Sequence, residues 1–287
     1  MKKIFSFTLI FTFVVFAVFP FDKQEQVVNG LRSGDYETVK ILLQEWEKEN
    51  PSDPDLMTGW FNYYLNRKAE SKNIVGYMHN GQYGAYSKIV YDDADLKTAI
   101  SYLDKALKTN PYRMDIYFGK INSLLTANKY QEGAAAISDF LKSYDKNKTD
   151  WYWTNNQKFR DNNWNVEDTV IGALHDYCTM FDFYIARDAV KIALDEILKR
   201  FPKNVIFLNY LSYYYSSAEE YEKAIEVLLS ANKIDPNDYI IVGNLASDYE
   251  KAGNIKEAEK WYLIMSKMDS EDAKAYAEKA LNRIRNK

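Results

Sequence analysis

Two residues whose types could do chemistry, His175 and Cys178, lie three positions apart in the chain. On a helix this spacing places both side chains on one face. A histidine beside a cysteine could form a nucleophile pair or half of a zinc site. A structural zinc site needs about four ligands, however, and the only other histidine in the sequence is His79. The alternative is that both side chains line a packed face beside Tyr177, and we expect neither catalysis nor a metal here.

A second candidate is the segment 161–167, where aspartate and asparagine alternate as at the start of a calcium loop. The segment lacks the glycine of the sharp turn and has Val166 there, and Gly172 stands where a bidentate glutamate is required. The alternative is a polar loop in which Asn165 caps the following helix. The chain also has no Gly-rich phosphate loop and no Gly-x-Ser-x-Gly elbow. We therefore expect no cofactor and no enzymatic activity.

The charge balance argues against a nucleic-acid partner. The formal net charge is −4 and the isoelectric point is near 5.5. A chain that binds nucleic acid usually carries a basic stripe, and none is visible in this sequence. We expect a protein or peptide partner and no nucleic acid.

The first residues predict export. Two lysines after Met1 precede an uncharged apolar run from Ile4 to Phe21, and a polar stretch begins at Asp22. This order is typical of a signal peptide, which we expect at 1–17, with an end as late as 22 as the alternative. The predicted location is the periplasm or cell envelope, with no stable membrane insertion after cleavage. An uncleaved segment that anchors the chain in the membrane remains the other possibility.

The elements that must position any site are predicted by a repeat in the last third of the chain. Residues of the same or similar type recur 34 positions apart, namely Pro202 and Pro236, Leu211 and Leu245, Tyr215 and Tyr249, and Ala224 and Ala258. A fixed period of this length indicates a solenoid whose units bury their apolar faces against one another. At these residues the chain resembles the tetratricopeptide repeat family, and the resemblance implies pairs of helices that present a binding surface.

The same register extends toward the N-terminus. A small or β-branched residue stands 12 positions before a proline in four places, which are Val39, Ala99, Val190 and Ala224. Pro51 and Pro111 are 60 residues apart, an excess of 26 over one period. Pro111 and Pro202 are 91 apart, an excess of 23 over two periods. Two insertions are therefore predicted, around 68–92 and 143–166.

The first insertion has the pattern of a β-hairpin. Apolar residues alternate on both sides of Asn80-Gly81, a strong hairpin turn signal. We predict two strands within 74–86 that turn at this dipeptide. Because an isolated hairpin is marginal in water, we also expect it to lie against the helices.

These observations predict an all-α fold, an α-α superhelix of the tetratricopeptide type with about six helix pairs, a cap helix and one inserted hairpin. The expected organisation after the signal peptide is N-terminal repeat units at 23–147 with an insertion at about 68–92, an inserted tryptophan-rich loop at 148–166, C-terminal repeat units at 167–272 and a cap helix at 273–287.

In tetratricopeptide arrays the first helices of each pair line a concave groove. By that resemblance the groove residues would be Ile206, Asn209, Tyr213, Ile240, Gly243 and Ser247. The inserted loop adds Trp151, Trp153 and Trp164, which would either rim a ligand groove or seal a mismatch between repeats.

The leading functional hypothesis is a non-enzymatic scaffold of the bacterial cell envelope that binds a protein or peptide. The alternatives are a structural subunit of an envelope assembly with no groove ligand and, third, an enzyme with a site at His175 and Cys178.

The chain as a whole is similar to uncharacterised, secreted tetratricopeptide proteins of Bacteroides-like bacteria. The residues that suggest this are the segments 60–64 (WFNYY), 118–121 (FGKI) and 151–154 (WYWT). This similarity implies secretion but no particular activity.

Overall fold

The computed structural model describes residues 23–77 and 83–286, and within them helices follow one another in pairs. The pairs are α1 (Lys23–Ser33) with α2 (Tyr36–Glu49), α3 (Pro54–Asn66) with α4 (Asp93–Thr109), α5 (Met114–Thr126) with α6 (Tyr130–Lys146), α7 (Val166–Met180) with α8 (Arg187–Arg200), α9 (Val205–Ser216) with α10 (Tyr221–Ile234), and α11 (Tyr239–Lys251) with α12 (Ile255–Met265). The helix α13 (Glu271–Arg285) follows the last pair. For the described residues, the predicted all-α fold of the tetratricopeptide type, with six pairs and a cap helix, is confirmed.

The chain divides into two compact units. The first comprises the described residues up to Lys129 together with Lys142–Tyr177, and the second comprises Tyr130–Leu141 and the chain from Cys178 onward. In the first unit, buried side chains of α1 to α5 form the core, with Leu43 and Leu103 completely buried. In the second unit, buried side chains of α10 to α13 form core clusters, which include Leu228 and Tyr262. Each unit therefore has an apolar core of its own.

The small residues that set the register are all buried. Val39, Ala99, Ala224 and Ala258 have no exposed surface, and Val190 is 1% exposed. Small side chains at these positions allow two helices to approach closely, and burial of the neighbouring apolar side chains supplies most of the favourable free energy. The repeat spacing therefore identified the helix faces that pack.

Side-chain caps fix where several helices begin. The carboxylate of Asp35 accepts a hydrogen bond from the Thr38 amide (3.1 Å), and that of Asp92 accepts one from the Asp95 amide (2.9 Å). Each cap satisfies an amide that has no partner within its own helix. Between α1 and α2, Gly34 adopts a positive φ of 75°, a conformation that most other residues disfavour.

The first insertion forms a two-stranded antiparallel ribbon between α3 and α4. Strand β1 (Glu70–Tyr77) pairs with β2 (Tyr83–Val90), and Ile74 lies opposite Tyr86. The predicted strands are confirmed, while the predicted turn at Asn80-Gly81 lies outside the described residues. The expected packing of the ribbon against the helices stays a prediction, since the strand side chains whose exposure is described are exposed or half-buried.

Candidate interaction surfaces

Matching caps place the first helices of two consecutive pairs in the same register. The side-chain oxygen of Asn204 accepts hydrogen bonds from the amides of Ile206 (3.0 Å) and Phe207 (3.3 Å) at the start of α9. At the start of α11, Asp238 accepts the equivalent bonds from Ile240 (2.8 Å) and the next residue (3.2 Å). As a result Ile206 and Ile240 occupy corresponding positions, and they are 40% and 50% exposed.

The polar members of the predicted groove set have different environments. The Asn244 amide on α11 donates a hydrogen bond of 2.7 Å to the side-chain oxygen of Asn209 on α9, so the two first helices are joined by neutral amides. Ser247 is half-buried. Gly243 is buried, and a Cβ added there would lie 3.1 Å from the methyl carbon of Met265. Gly243 therefore lies at a close contact with α12 and has no side chain to present to a ligand.

Tyr213 extends this surface toward the turn between α7 and α8. It is exposed, and the ring of the buried Phe183 packs edge-on against it with 4.9 Å between ring centroids. Burial of part of the phenol, together with a hydrogen bond to Tyr184, raises the pKa of Tyr213 to about 12. Next to Tyr184, Ile185 is 81% exposed, the highest value among the exposed large apolar side chains of the described residues.

Tyr184 and Ile185 could not be predicted as surface residues from the repeat, because they lie in a turn and outside the repeating positions. The Asp182 carboxylate accepts hydrogen bonds from both of their amides, at 2.9 and 3.0 Å, and so fixes the backbone that displays them. The available signal was an aspartate followed by three apolar residues at the predicted end of a helix.

The inserted loop of the first unit is anchored by its tryptophans. It contains a short ribbon, β3 (Tyr152–Trp153) with β4 (Gln157–Lys158). Trp151 has no exposed surface and meets the Tyr117 ring of α5 at a centroid distance of 6.1 Å, while Trp153 meets Phe118 at 5.9 Å. Trp164 remains exposed but contacts Trp153 at 6.3 Å. The loop therefore packs on its own unit through these rings.

A buried ionic cluster, which the sequence analysis did not identify, lies at the N-terminal end of α5. Arg113 donates two hydrogen bonds to the carboxylate of Asp115, at 2.9 and 2.8 Å, and one of 2.6 Å to Asp55 at the start of α3. The Thr154 hydroxyl of the inserted loop donates to the same Asp115 carboxylate at 3.0 Å. The loop backbone adds a bond of 2.9 Å from the Tyr152 amide to the Tyr112 carbonyl. The cluster thus joins α3, α5 and the loop.

The electrostatics of this cluster follow from its burial. Burial raises the pKa of Asp55, and the attraction and hydrogen bond of Arg113 oppose this shift without cancelling it. For Arg113, burial acts to lower the pKa, but the hydrogen bonds and charges of Asp115 and Asp55 outweigh it, so the pKa is raised and the guanidinium stays charged. The arrangement holds charges in a packed interior and fits a structural role.

Of the pair His175 and Cys178, the thiol lies in the packed interior. Cys178 is buried, and burial raises the pKa of its thiol well above the usual range. Since the thiolate is the nucleophile, a buried cysteine of this kind is inert. Within the described ranges no group of three or more potential metal-ligating side chains occurs.

The calcium-like segment forms the predicted helix cap. The side chain of Asn165 accepts a hydrogen bond from the Asp168 amide at 3.1 Å, and its carbonyl accepts one from the Thr169 hydroxyl at 2.7 Å. Asn163 adopts a positive φ of 54°, which asparagine tolerates better than most residues.

No helix in the part of the chain that the structure describes is long and apolar enough to cross a membrane.

Comparison with known families gives a match in the second half of the chain. A tetratricopeptide repeat model matches residues 186–239, which include α8, α9 and α10. The chain matches none of the curated proteins with which it was compared.

Comparison with solved structures returns distant likenesses. The MamA protein shares 17% identity, with 59% of this chain and 80% of that chain covered and a TM-score of 0.38. A tetratricopeptide repeat protein from Parabacteroides merdae shares 11% identity, with 92% and 91% covered and a TM-score of 0.39. The human IFIT1 dimer with PPP-AAAA shares 14% identity over 91% of this chain, with a TM-score of 0.36, and the chain spans 52% of its length. Likenesses of this size carry no functional argument, and the resemblance to secreted Bacteroides-like proteins stays a prediction.

The repeat spacing, the helix pairs and the family match agree at α8 to α10. Together they support the assignment of these repeats to the tetratricopeptide repeat family.

Proposed function

We propose that the chain is a non-enzymatic scaffold that binds a protein or peptide on the first-helix surface, which we define as the exposed side of α9 and α11 with the adjoining turn at 182–185. The observation that carries the proposal is the exposure of Ile206, Tyr213 and Ile240 on two consecutive first helices. Tetratricopeptide folds generally serve as interaction scaffolds. Exposed apolar side chains that cluster, rather than occur singly, commonly mark an interaction site.

The chemistry of the surface favours a neutral, partly apolar ligand. Two of the cations near it already have partners, since Arg187 donates to the Tyr214 carbonyl (3.2 Å) and Lys251 lies 3.2 Å from the Asp248 carboxylate. The Asn209–Asn244 pair offers amide groups that can hydrogen-bond to a peptide backbone. A ligand that places apolar side chains against the two isoleucines fits this pattern.

We also propose that the protein works outside the cytoplasm, in the periplasm or cell envelope. The support is the order of basic, apolar and polar residues in the segment 1–25. Expression of the full chain followed by N-terminal sequencing of the envelope fraction tests this. A mature chain that begins near residue 18 agrees with the proposal, and a chain that stays in the cytoplasm with Met1 intact contradicts it.

The binding proposal is tested by affinity capture from an envelope extract followed by mass spectrometry. The test variant is the double substitution Ile206→Glu and Ile240→Glu, which places two charges on the first-helix surface. The matched control is Ile234→Glu on α10, because Ile234 is 45% exposed and thus comparable with the other two isoleucines. All chains are first compared by thermal unfolding, so that loss of capture is not confused with loss of fold.

We expect the double variant to lose the captured partner and the control to keep it. The reverse result would favour the alternative, a structural subunit that uses second-helix faces and leaves the first-helix surface free. Retention of the partner by both variants would refute the assigned surface.

A further inference from the structure

The inserted ribbon has unprotected edges. Its strands pair without a bulge from Glu70↔Val90 to Tyr77↔Tyr83, and within the described residues β1 and β2 pair only with each other. A two-stranded ribbon is marginally stable by itself, and natural proteins usually cover or blunt an open strand edge. On this ribbon Val75 is 66% exposed and Ile89 is 48% exposed. The ribbon therefore has both the backbone groups and the apolar side chains that a third strand would use.

The charges distinguish the two edges. Lys72 and Lys88 lie directly opposite each other, and a like-charge pair in this position is unfavourable. On β1 the ammonium group of Lys72 is 3.3 Å from the carboxylate of Glu70, so its charge is balanced within its own strand. On β2 there is no acidic residue, and among the described residues Lys88 has no carboxylate within ion-pair distance. The β2 edge thus carries an unbalanced positive charge.

We propose that the outer edge of β2 binds an extended, acidic peptide segment of a partner protein by strand addition. Main-chain hydrogen bonds to the strand would supply affinity, and alternate side chains would supply specificity. In the added strand an acidic residue lies beside Lys88. The next residue of that strand lies on the opposite face, is apolar and lies beside Ile89. The acidic residue relieves the repulsion between Lys88 and Lys72.

The charge on β2 also disfavours a second copy of the chain as the occupant. Pairing of β2 with β2 of another copy would bring a second positive strand without any carboxylate, because β2 contains Lys88 as its only charged residue. This surface belongs to the first unit, and its proposed role is independent of the first-helix surface in the second unit.

The test uses the full chain and fluorescent synthetic peptides that alternate valine and glutamate, with a valine–lysine peptide of equal length for comparison. Binding is measured by fluorescence anisotropy. Two further acidic peptides carry N-methyl groups on alternate amides, one in each phase. Since an added strand directs only every second amide toward its neighbour, we expect one N-methylated peptide to bind and the other to fail. Equal binding of the two would show attraction by charge alone and would overturn strand addition.

The charge assignment is tested with Lys88→Glu. This substitution places a carboxylate opposite Lys72 and should preserve the ribbon, because opposite charges across a strand pair are favourable. We expect roughly fivefold weaker binding of the acidic peptide and tighter binding of the lysine peptide, the size of effect given by an exposed ion pair. The matched control is Lys97→Glu, an exposed lysine of α4 outside the ribbon, which should leave both affinities unchanged.

Two results would overturn the proposal. One is the absence of binding by the intact chain at millimolar peptide. The other is self-association of the chain, measured by analytical ultracentrifugation, that Ile89→Glu on β2 abolishes, since this would make a second copy the occupant of that strand.

Discussion

Replacement of the buried Arg113 by methionine gives the sharpest test of how the inserted loop is held. The substitution keeps an unbranched side chain and removes the cation that serves Asp55 and Asp115, whose side chains are only 9% and 10% exposed. Removal of one partner of a buried ion pair costs about 3–5 kcal/mol, because the remaining charge is left without compensation. We therefore expect Arg113→Met to lower the free energy of unfolding by about that amount.

Urea denaturation followed by circular dichroism measures this change. The matched control is Arg160→Met in the same loop, because the Arg160 side chain is 62% exposed and its nearest carboxylate oxygen is 3.4 Å away. Exposed pairs of this kind contribute about 0–1 kcal/mol. If the two substitutions lower the free energy of unfolding equally, the Arg113 cluster does not stabilise the fold as we infer.

The loss in the free energy of unfolding caused by Arg113→Met, here called the deficit, should depend on pH. Burial raises the pKa of Asp55 and Arg113 lowers it, so removal of Arg113 raises the pKa further. A carboxyl group whose pKa is raised by folding stabilises the folded state while it is protonated. This contribution is complete below the pKa of the group in the unfolded chain, about 4. It is lost as the pH rises through the pKa of the group in the folded protein. The deficit should therefore be largest at neutral pH and smaller near pH 4, roughly the unfolded value. A deficit that is constant between these two pH values would contradict the assignment.

Two further pairs of substitutions test the packing within each unit by the same denaturation assay. Ala224→Leu should lower the free energy of unfolding by about 1–3 kcal/mol through overpacking, whereas Glu226→Ala on the exposed face should change it by less than about 0.5 kcal/mol. Equal effects at Ala224 and Glu226 would mean that the helix faces are assigned wrongly. Trp151→Ala should cost about 3–5 kcal/mol because the ring is completely buried, and Trp164→Ala clearly less. A larger loss of stability at Trp164 would show that the loop is held by its exposed end.

The fold could be predicted from the sequence because a repeat protein buries each helix against its neighbours in the chain. The 34-residue spacing of Ala224 and Ala258 located the close helix contacts, and both residues are fully buried. The spacing of the prolines likewise indicated six pairs of helices. All these features are local and periodic, which is the kind of information that a single sequence contains.

The Arg113 cluster could not be predicted in this way. In this cluster Arg113 bonds to Asp55, which lies 58 positions earlier in the chain. Asp115, the other carboxylate of the cluster, accepts a hydrogen bond from Thr154, 39 positions later. Neither separation is a multiple of the repeat, and the second depends on how an insertion folds. A buried charge network is decided by long-range packing, so no spacing in the sequence indicates which carboxylate the arginine will meet.

The first-helix surface could be predicted from the sequence only in part. The resemblance assigned equivalent positions to Asn209 and Gly243, 34 residues apart, yet one carries an amide and the other is a buried glycine against α12. The hydrogen-bond partner of Asn209 is Asn244, one residue beyond the equivalent position. Equivalent positions of the repeat therefore differ in chemistry and environment, because both depend on the individual side chain. For this reason a binding specificity should be sought through Ile206 and Ile240, which the repeat places at equivalent positions and which the structure shows to be exposed.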